Sequence, residues 1–273
     1  MSPVCVYGGL FYACCQFIRQ NPSLLRENGK EFFMSTYLKT AESVKKSENN
    51  TRKSAANVQK LATMGMLCAI AYVCTALFPN IPVFSSAPYL TLDPKDAVIA
   101  IGGCIFGPLS AIVMSVVVSL VEMVTISSTG IIGCIMNVLS TAAFAGIASF
   151  IYSRKKTVKG AVIGLITGTV AMTAVMVLWN YLITPLYTGM PREAILPMLP
   201  TVFLPFNLLK GAINSAITLI LYKFVVTALR KAKLLPERDG SVNKARFNPV
   251  LIIGAAVVLI SCILLILVIK GIL

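Results

Sequence analysis

Lys210 stands inside the apolar run PTVFLPFNLLKGAINSAITLILYKFVV, residues 200–226, with Asn207 three residues before it and Asn214 four residues after it. On a helix this spacing puts one ammonium group and two carboxamides on the same side. A lysine within hydrocarbon costs about 2.5 to 3.5 kcal/mol on insertion scales, so it must face a cavity or a partner. Lys210 is roughly 9 residues, or about 13 Å, from the outer end of its helix, too deep for its stem to lift the charge to the interface. Two readings stay open: an ion pair with Glu122, near the outer end of an earlier apolar run, or a polar pocket opening to the outside. Asn137 in CIMNVLST and Asn180 in VLWNYLITPLY are further carboxamides in apolar surroundings, each in need of a partner, and both are candidates to join such a pocket.

One fixed cation disfavours a cationic solute. Carboxamides offer a donor and an acceptor each, which matches an imide edge or a row of hydroxyls. Trp179, Tyr181, Phe206 and Tyr89 could contact a flat ring, although filling a span is the commoner role of such residues. The solute described in this way is neutral or weakly anionic, planar and partly polar.

Catalytic chemistry finds little material. The chain has no histidine, no paired C-x-x-C and no G-x-x-x-x-G-K-[ST] phosphate loop, which argues against zinc chemistry, histidine acid/base catalysis and the usual mode of ATP binding. Between the N-terminal segment and residue 227 the acidic residues are Asp93, Asp96, Glu122 and Glu193, too few for paired magnesium-holding motifs. The reading is therefore no enzyme, no catalytic residue, no metal site and no resident cofactor. The eight cysteines have no paired spacing and serve as small apolar residues.

The elements that must position Lys210 follow from composition. At 57% hydrophobic and 12% charged, with a mean hydropathy of +0.83, the 273 residues read as an all-α polytopic membrane protein. Apolar runs place spans at about 60–78, 94–106 (short), 108–125, 131–152, 158–184 and 201–226, with a seventh, set apart by a linker, at 249–269. Of the 24 Lys and Arg residues, 20 fall in residues 1–60, the SRKKTVK linker and residues 223–246, which alternation of six spans puts on one side. By the positive-inside rule that side is cytoplasmic, and the net charge of +14 is a topology signal, with no stacking aromatics to suggest nucleic acid.

On the opposite side, residues 79–94 and 184–200 are rich in proline and large apolar residues and read as ordered flaps over a cavity, although proline also simply ends helices. Gly160, Gly164 and Gly168 form a stripe on one helix face, read as internal packing. Ala62, Gly65 and Ala69 form a similar small-residue face on the first span. With no engine of its own, a single-substrate membrane subunit must dock on something, and this face is the candidate.

Four stretches carry a resemblance: APYLTLDPKDAVIAIGGCIFGPLSA, STGIIGCIMNVLSTAAFAGIAS, MTAVMVLWNYLITPLYTGMPREA and VFLPFNLLKGAINSAITLILYK. In order, spacing and wording they resemble the riboflavin-specific substrate-binding (S) component of energy-coupling factor (ECF) transporters, over about residues 56–236. The resemblance implies a six-helix core that holds riboflavin near the extracellular side under a gate loop. It also implies a transmembrane coupling protein and two cytoplasmic ATPases that supply energy, with release by toppling in the membrane. Asn207 and Lys210 match the family's polar ligand contacts, and Asn137 and Asn180 stand in matching motifs. PYLTLDP fits the gate loop, so that Tyr89, Leu90 and Leu92 cover the ring. Ala62, Gly65 and Ala69 correspond to the surface used against the coupling subunit, where the family shows alanines and Gly65 or Met66 departs. On this reading Lys210→Ala weakens flavin binding by about 1 to 3 kcal/mol.

The domain organisation expected is a cytoplasmic leader over 1–55, the six-helix core over 56–236, and a linker with the seventh helix over 237–273. Residues 1–33 are neither a secretory signal nor a full span, and translation is expected to start at Met34. The alternatives are an S component for another vitamin and a non-transport membrane scaffold.

Overall fold

The computed structural model describes residues 27–77, 83–84, 87, 90–127, 129–232, 234 and 249–270. Contacts divide the chain into two units, residues 1–58 and 59–273. Helix α1 (Glu27–Leu77) has its polar first part in the first unit and its apolar last part in the second. Everything below concerns the second unit.

Helix α2 (Lys95–Phe106) follows Pro94 and stops at Gly107, whose φ of +101° suits a residue without a side chain and lets Pro108 open α3 (Pro108–Thr125) at once. Helix α4 (Gly130–Thr141) continues through a π-helical turn (Ala142–Gly146) into α5 (Ile147–Lys155), and the three together make one span, Gly130–Lys155. The Thr157 side chain caps α6 (Val158–Thr188) by accepting from Gly160 N at 3.0 Å. A short helix α7 (Arg192–Ile195) and a second π-helical turn (Leu199–Phe203) lead into α8 (Leu204–Lys231), and α9 (Pro249–Ile269) packs along α8.

Among the described residues, six stretches are long and apolar enough to cross a membrane: Glu42–Leu77, Pro108–Thr125, Gly130–Lys155, Val158–Leu186, Arg192–Lys231 and Pro249–Ile269. The helix expected over 94–106 is present, but its 12 residues reach only about 18 Å, short of the roughly 30 Å of a hydrocarbon core. It is an interior element: Lys95 to Gly103 are all buried, and it packs against α3, α5, α8 and the first π-helical turn. Its buried polar end is therefore held inside the bundle.

The glycine stripe packs internally, as expected. A Cβ at Gly164 would stand 2.7 Å from Ala148 O, and one at Gly168 2.6 Å from Phe144 O, so α6 and α5 meet backbone to backbone. The main core gathers Leu67, Ile99, Met114, Phe144 and Met172. A second cluster at the other end joins Val83, Ala87 and Leu90 to Ile195, Phe203 and Phe206, with Cys262 and Ile266 of α9 packed on it. The described residues of the two expected flaps are thus ordered against each other and against α8.

Candidate functional site

A cavity of about 240 Å³ opens at the end of the bundle that carries residues 90–94 and the turn at 126–129. Asn137, Asn207, Lys210, Leu90 and Phe206 line it, together with Thr91, Asp93, Lys95, Glu122 and Met176. The segment leading into α2, the last turns of α3, the middle of α4 and the first turns of α8 converge here, with Thr75 of α1 and Met176 of α6.

Beneath this cavity lies a buried charge cluster. Lys210 Nζ is 2.9 Å from Asp93 Oδ1 and 3.5 Å from Asp96 Oδ2. Lys95, only 1% exposed, pairs with Glu122 and lies 3.3 Å from Asp93 Oδ2. Thr141 donates to Asp96 Oδ1 at 2.6 Å, and Asn137 Nδ2 to Glu122 Oε2 at 3.4 Å. Charges this deep persist only when paired and hydrogen-bonded. Burial opposes ionisation of Asp93, but the Lys210 and Lys95 ammonium groups outweigh it and hold the carboxyl down at about 2. Asp93 Oδ1 and Asp96 Oδ2 meet Lys210 as charges without hydrogen-bond geometry, and Glu122 Oε1 has no hydrogen-bond partner among the described residues.

Two expectations change at this point. The ion pair drawn between Lys210 and Glu122 is replaced by Lys210 with Asp93 and Asp96, and Lys95 with Glu122. The argument that one fixed cation disfavours cationic solutes also falls, because two ammonium groups here face three carboxylates.

The remaining sequence candidates separate by what their polar atoms already do. Asn207 Nδ2 donates to Phe203 O at 2.7 Å, which leaves its carbonyl oxygen for the cavity. Asn214 is a brace away from the cavity wall: its Nδ2 donates to Asp93 O at 3.2 Å and its Oδ1 accepts from Ala97 N at 3.1 Å, tying α8 to the start of α2. Asn180 donates to Met176 O at 2.7 Å in its own helix and accepts from Thr184 at 3.0 Å. With Trp179 it borders a separate cavity of only about 20 Å³. Tyr181 lines neither cavity. Leu92 packs on the second apolar cluster, and Tyr89 lies outside the described residues. Ala62, Gly65 and Ala69 are exposed on α1, and a Cβ at Gly65 would meet nothing within 4 Å.

The sequence reading passed over Asp93, Lys95, Asp96, Glu122 and Thr141 as site residues. The signal was present in LDPKD, where three charges fall within four residues at the start of an apolar run.

Residues 59–222 match the family model described as ECF transporter, substrate-specific component, a stretch that contains every residue lining the cavity and excludes α9. Riboflavin transporter RibU of Staphylococcus aureus is 32% identical over 179 residues, covering 63% of this chain and 93% of that one. Riboflavin transporter FmnP of Bacillus subtilis is 29% identical over 177 residues, covering 60% and 90%. A solved structure of the S component of a bacterial ECF transporter superposes with a TM-score of 0.55 at 32% identity, covering 64% of this chain and 99% of that chain. The chain belongs to the family of substrate-specific components of ECF transporters.

Proposed function

We propose that the chain is the riboflavin-binding subunit of an ECF-type uptake transporter. It takes riboflavin from outside the cell and passes it on through a separate module of one transmembrane coupling protein and two cytoplasmic ATPase subunits. The observation that carries this reading is the cavity: carboxamides at Asn137 and Asn207 oppose apolar walls from Leu90, Met176 and Phe206. Amide donors and acceptors suit an imide edge or a polyol, and flat apolar walls suit a fused ring. Its volume of about 240 Å³ lies just below the roughly 300 to 1,000 Å³ of small-molecule sites, so the flap above it yields somewhat on binding. The names of the relatives support the same ligand.

The clustering of basic residues supports a cytoplasmic N-terminus, with the cavity on the outer side. The exposed small-residue face at Ala62, Gly65 and Ala69 supports α1 as the surface for the coupling protein. The substrate-contact roles of Asn137, Asn207 and Leu90 rest on their place in the cavity wall. That of Leu92 rests on the resemblance, those of Tyr89 and Asn180 on the resemblance and on residue type, and that of Trp179 on its flat ring.

The test is an absorbance spectrum of the detergent-purified protein, followed by titration of riboflavin fluorescence. A flavin spectrum or saturable quenching is expected. A colourless protein that does not quench riboflavin would redirect the reading to another vitamin within the same family.

A further inference from the structure

One carboxylate oxygen of Glu122 has no hydrogen-bond donor among the described residues. Glu122 sits on α3 less than one turn before the helix ends at Thr125, is 4% exposed and lines the cavity, yet Oε1 is buried with no hydrogen-bond partner among the described residues. Its other oxygen takes both Lys95 and Asn137. The Thr75 hydroxyl, also on the cavity wall, stands near the Glu122 carboxylate and donates to Ala71 O at 3.2 Å in its own helix, so one hydroxyl serves two acceptors. Buried carboxylate oxygens are normally satisfied, so an open one beside a cavity asks for a donor from outside the protein.

Its neighbours sharpen the chemistry. An ammonium has three N–H groups and a carboxamide two. Lys95 hydrogen-bonds to Glu122 and pairs with Asp93 as a charge, and Asn137 uses one N–H on Glu122, so each keeps a donor while Glu122 keeps an acceptor. Donors from Lys95 and Asn137 beside the open oxygen of Glu122 suit a ligand donor flanked by acceptors.

We propose that Glu122 accepts a hydrogen bond from an O–H or N–H group of the bound ligand, and that this contact sets specificity for solutes carrying that donor. The proposal rests on the riboflavin reading, whose two available sources are the polyol hydroxyls and the imide N–H.

The experiment titrates wild type, Glu122→Ala and Glu122→Gln with riboflavin, with lumiflavin, which lacks the hydroxyls, and with N3-methylriboflavin, which lacks the imide N–H. Glu122→Ala is expected to weaken riboflavin at least about tenfold, as for a lost charge-assisted hydrogen bond, and Glu122→Gln to restore part of that affinity. The penalty must vanish for one analogue, and which one identifies the donor. Equal penalties for all three ligands, or none for riboflavin, overturn the proposal. Should Glu122→Ala fail to fold, the same ligand series on Glu122→Gln decides, since a neutral acceptor must still weaken riboflavin selectively. Wild type that binds no flavin would remove the riboflavin reading itself, a separate and visible failure.

Discussion

Lys210→Ala is expected to destabilise the protein before any ligand is present. In the structure Lys210 is the cation that Asp93 Oδ1 meets at 2.9 Å and Asp96 Oδ2 at 3.5 Å, inside a cluster where its own side chain is 7% exposed. Removing it leaves Asp93 with Lys95 alone and Asp96 with the Thr141 hydroxyl alone. Breaking a buried pair by deleting one partner costs about 3 to 5 kcal/mol, because the other charge stays behind uncompensated. At about 2 to 4 °C per kcal/mol for a protein of this size, the ligand-free Tm should fall by about 6 to 20 °C. Thermal unfolding in detergent without flavin is the assay. Asp96→Asn in the Lys210→Ala background should return part of the loss, since it removes the stranded charge, whereas Asp96→Asn alone should destabilise. The reasoning is refuted if Lys210→Ala keeps the ligand-free Tm of wild type while losing flavin affinity, for the lysine would then serve the ligand only.

Three further outcomes are expected. Asp93 is held at about 2, below its unfolded value, so the native state binds fewer protons there than the unfolded chain. Its contribution is therefore complete above about pH 4 and is lost as pH falls toward 2, and Asp93→Asn should flatten that part of the ligand-free Tm profile. Gly164→Ala and Gly168→Ala each put a Cβ within 2.7 Å of a backbone oxygen of the facing helix, which has no side chain to move aside. Losses of about 1 to 3 kcal/mol, read as lowered Tm, should follow, and an unchanged Tm would mean that the helices are not this close. Gly65→Leu meets open space, so flavin binding and Tm should hold while uptake in cells carrying the coupling module falls sharply. Normal uptake would move the docking face elsewhere.

The spans and the glycine stripe were legible because each depends on a local pattern: hydropathy over about 20 residues, or glycine every four. The same local habit explains what was misread. Asn207, Lys210 and Asn214 share a helix side, yet only the first two reach the cavity, because Asn214 spends both ends of its amide on Asp93 and Ala97, more than a hundred residues away. Lys95 was not singled out in the sequence. Its burial follows from α2 being too short to reach an interface and from Glu122 standing opposite, a pairing across 27 residues that no periodicity records. Asn180 was a fair candidate as a buried amide, but a polar side chain can bond to the carbonyl four residues back, and this one does.

The π-helical turn at Ala142–Gly146 gives one span two working faces. Such a turn adds a residue to the helical repeat and advances the phase of everything beyond it by about 100°. On its N-terminal side Asn137 meets Glu122 and Thr141 meets Asp96, and on its C-terminal side Ala148 offers its backbone to Gly164. A regular helix through the same residues would keep one of these alignments and rotate the other out of place. Deleting a single alanine from the turn would leave an intact, fully apolar span and still uncouple the polar face from the packing face, so the turn acts as the phase adjuster between cavity and scaffold.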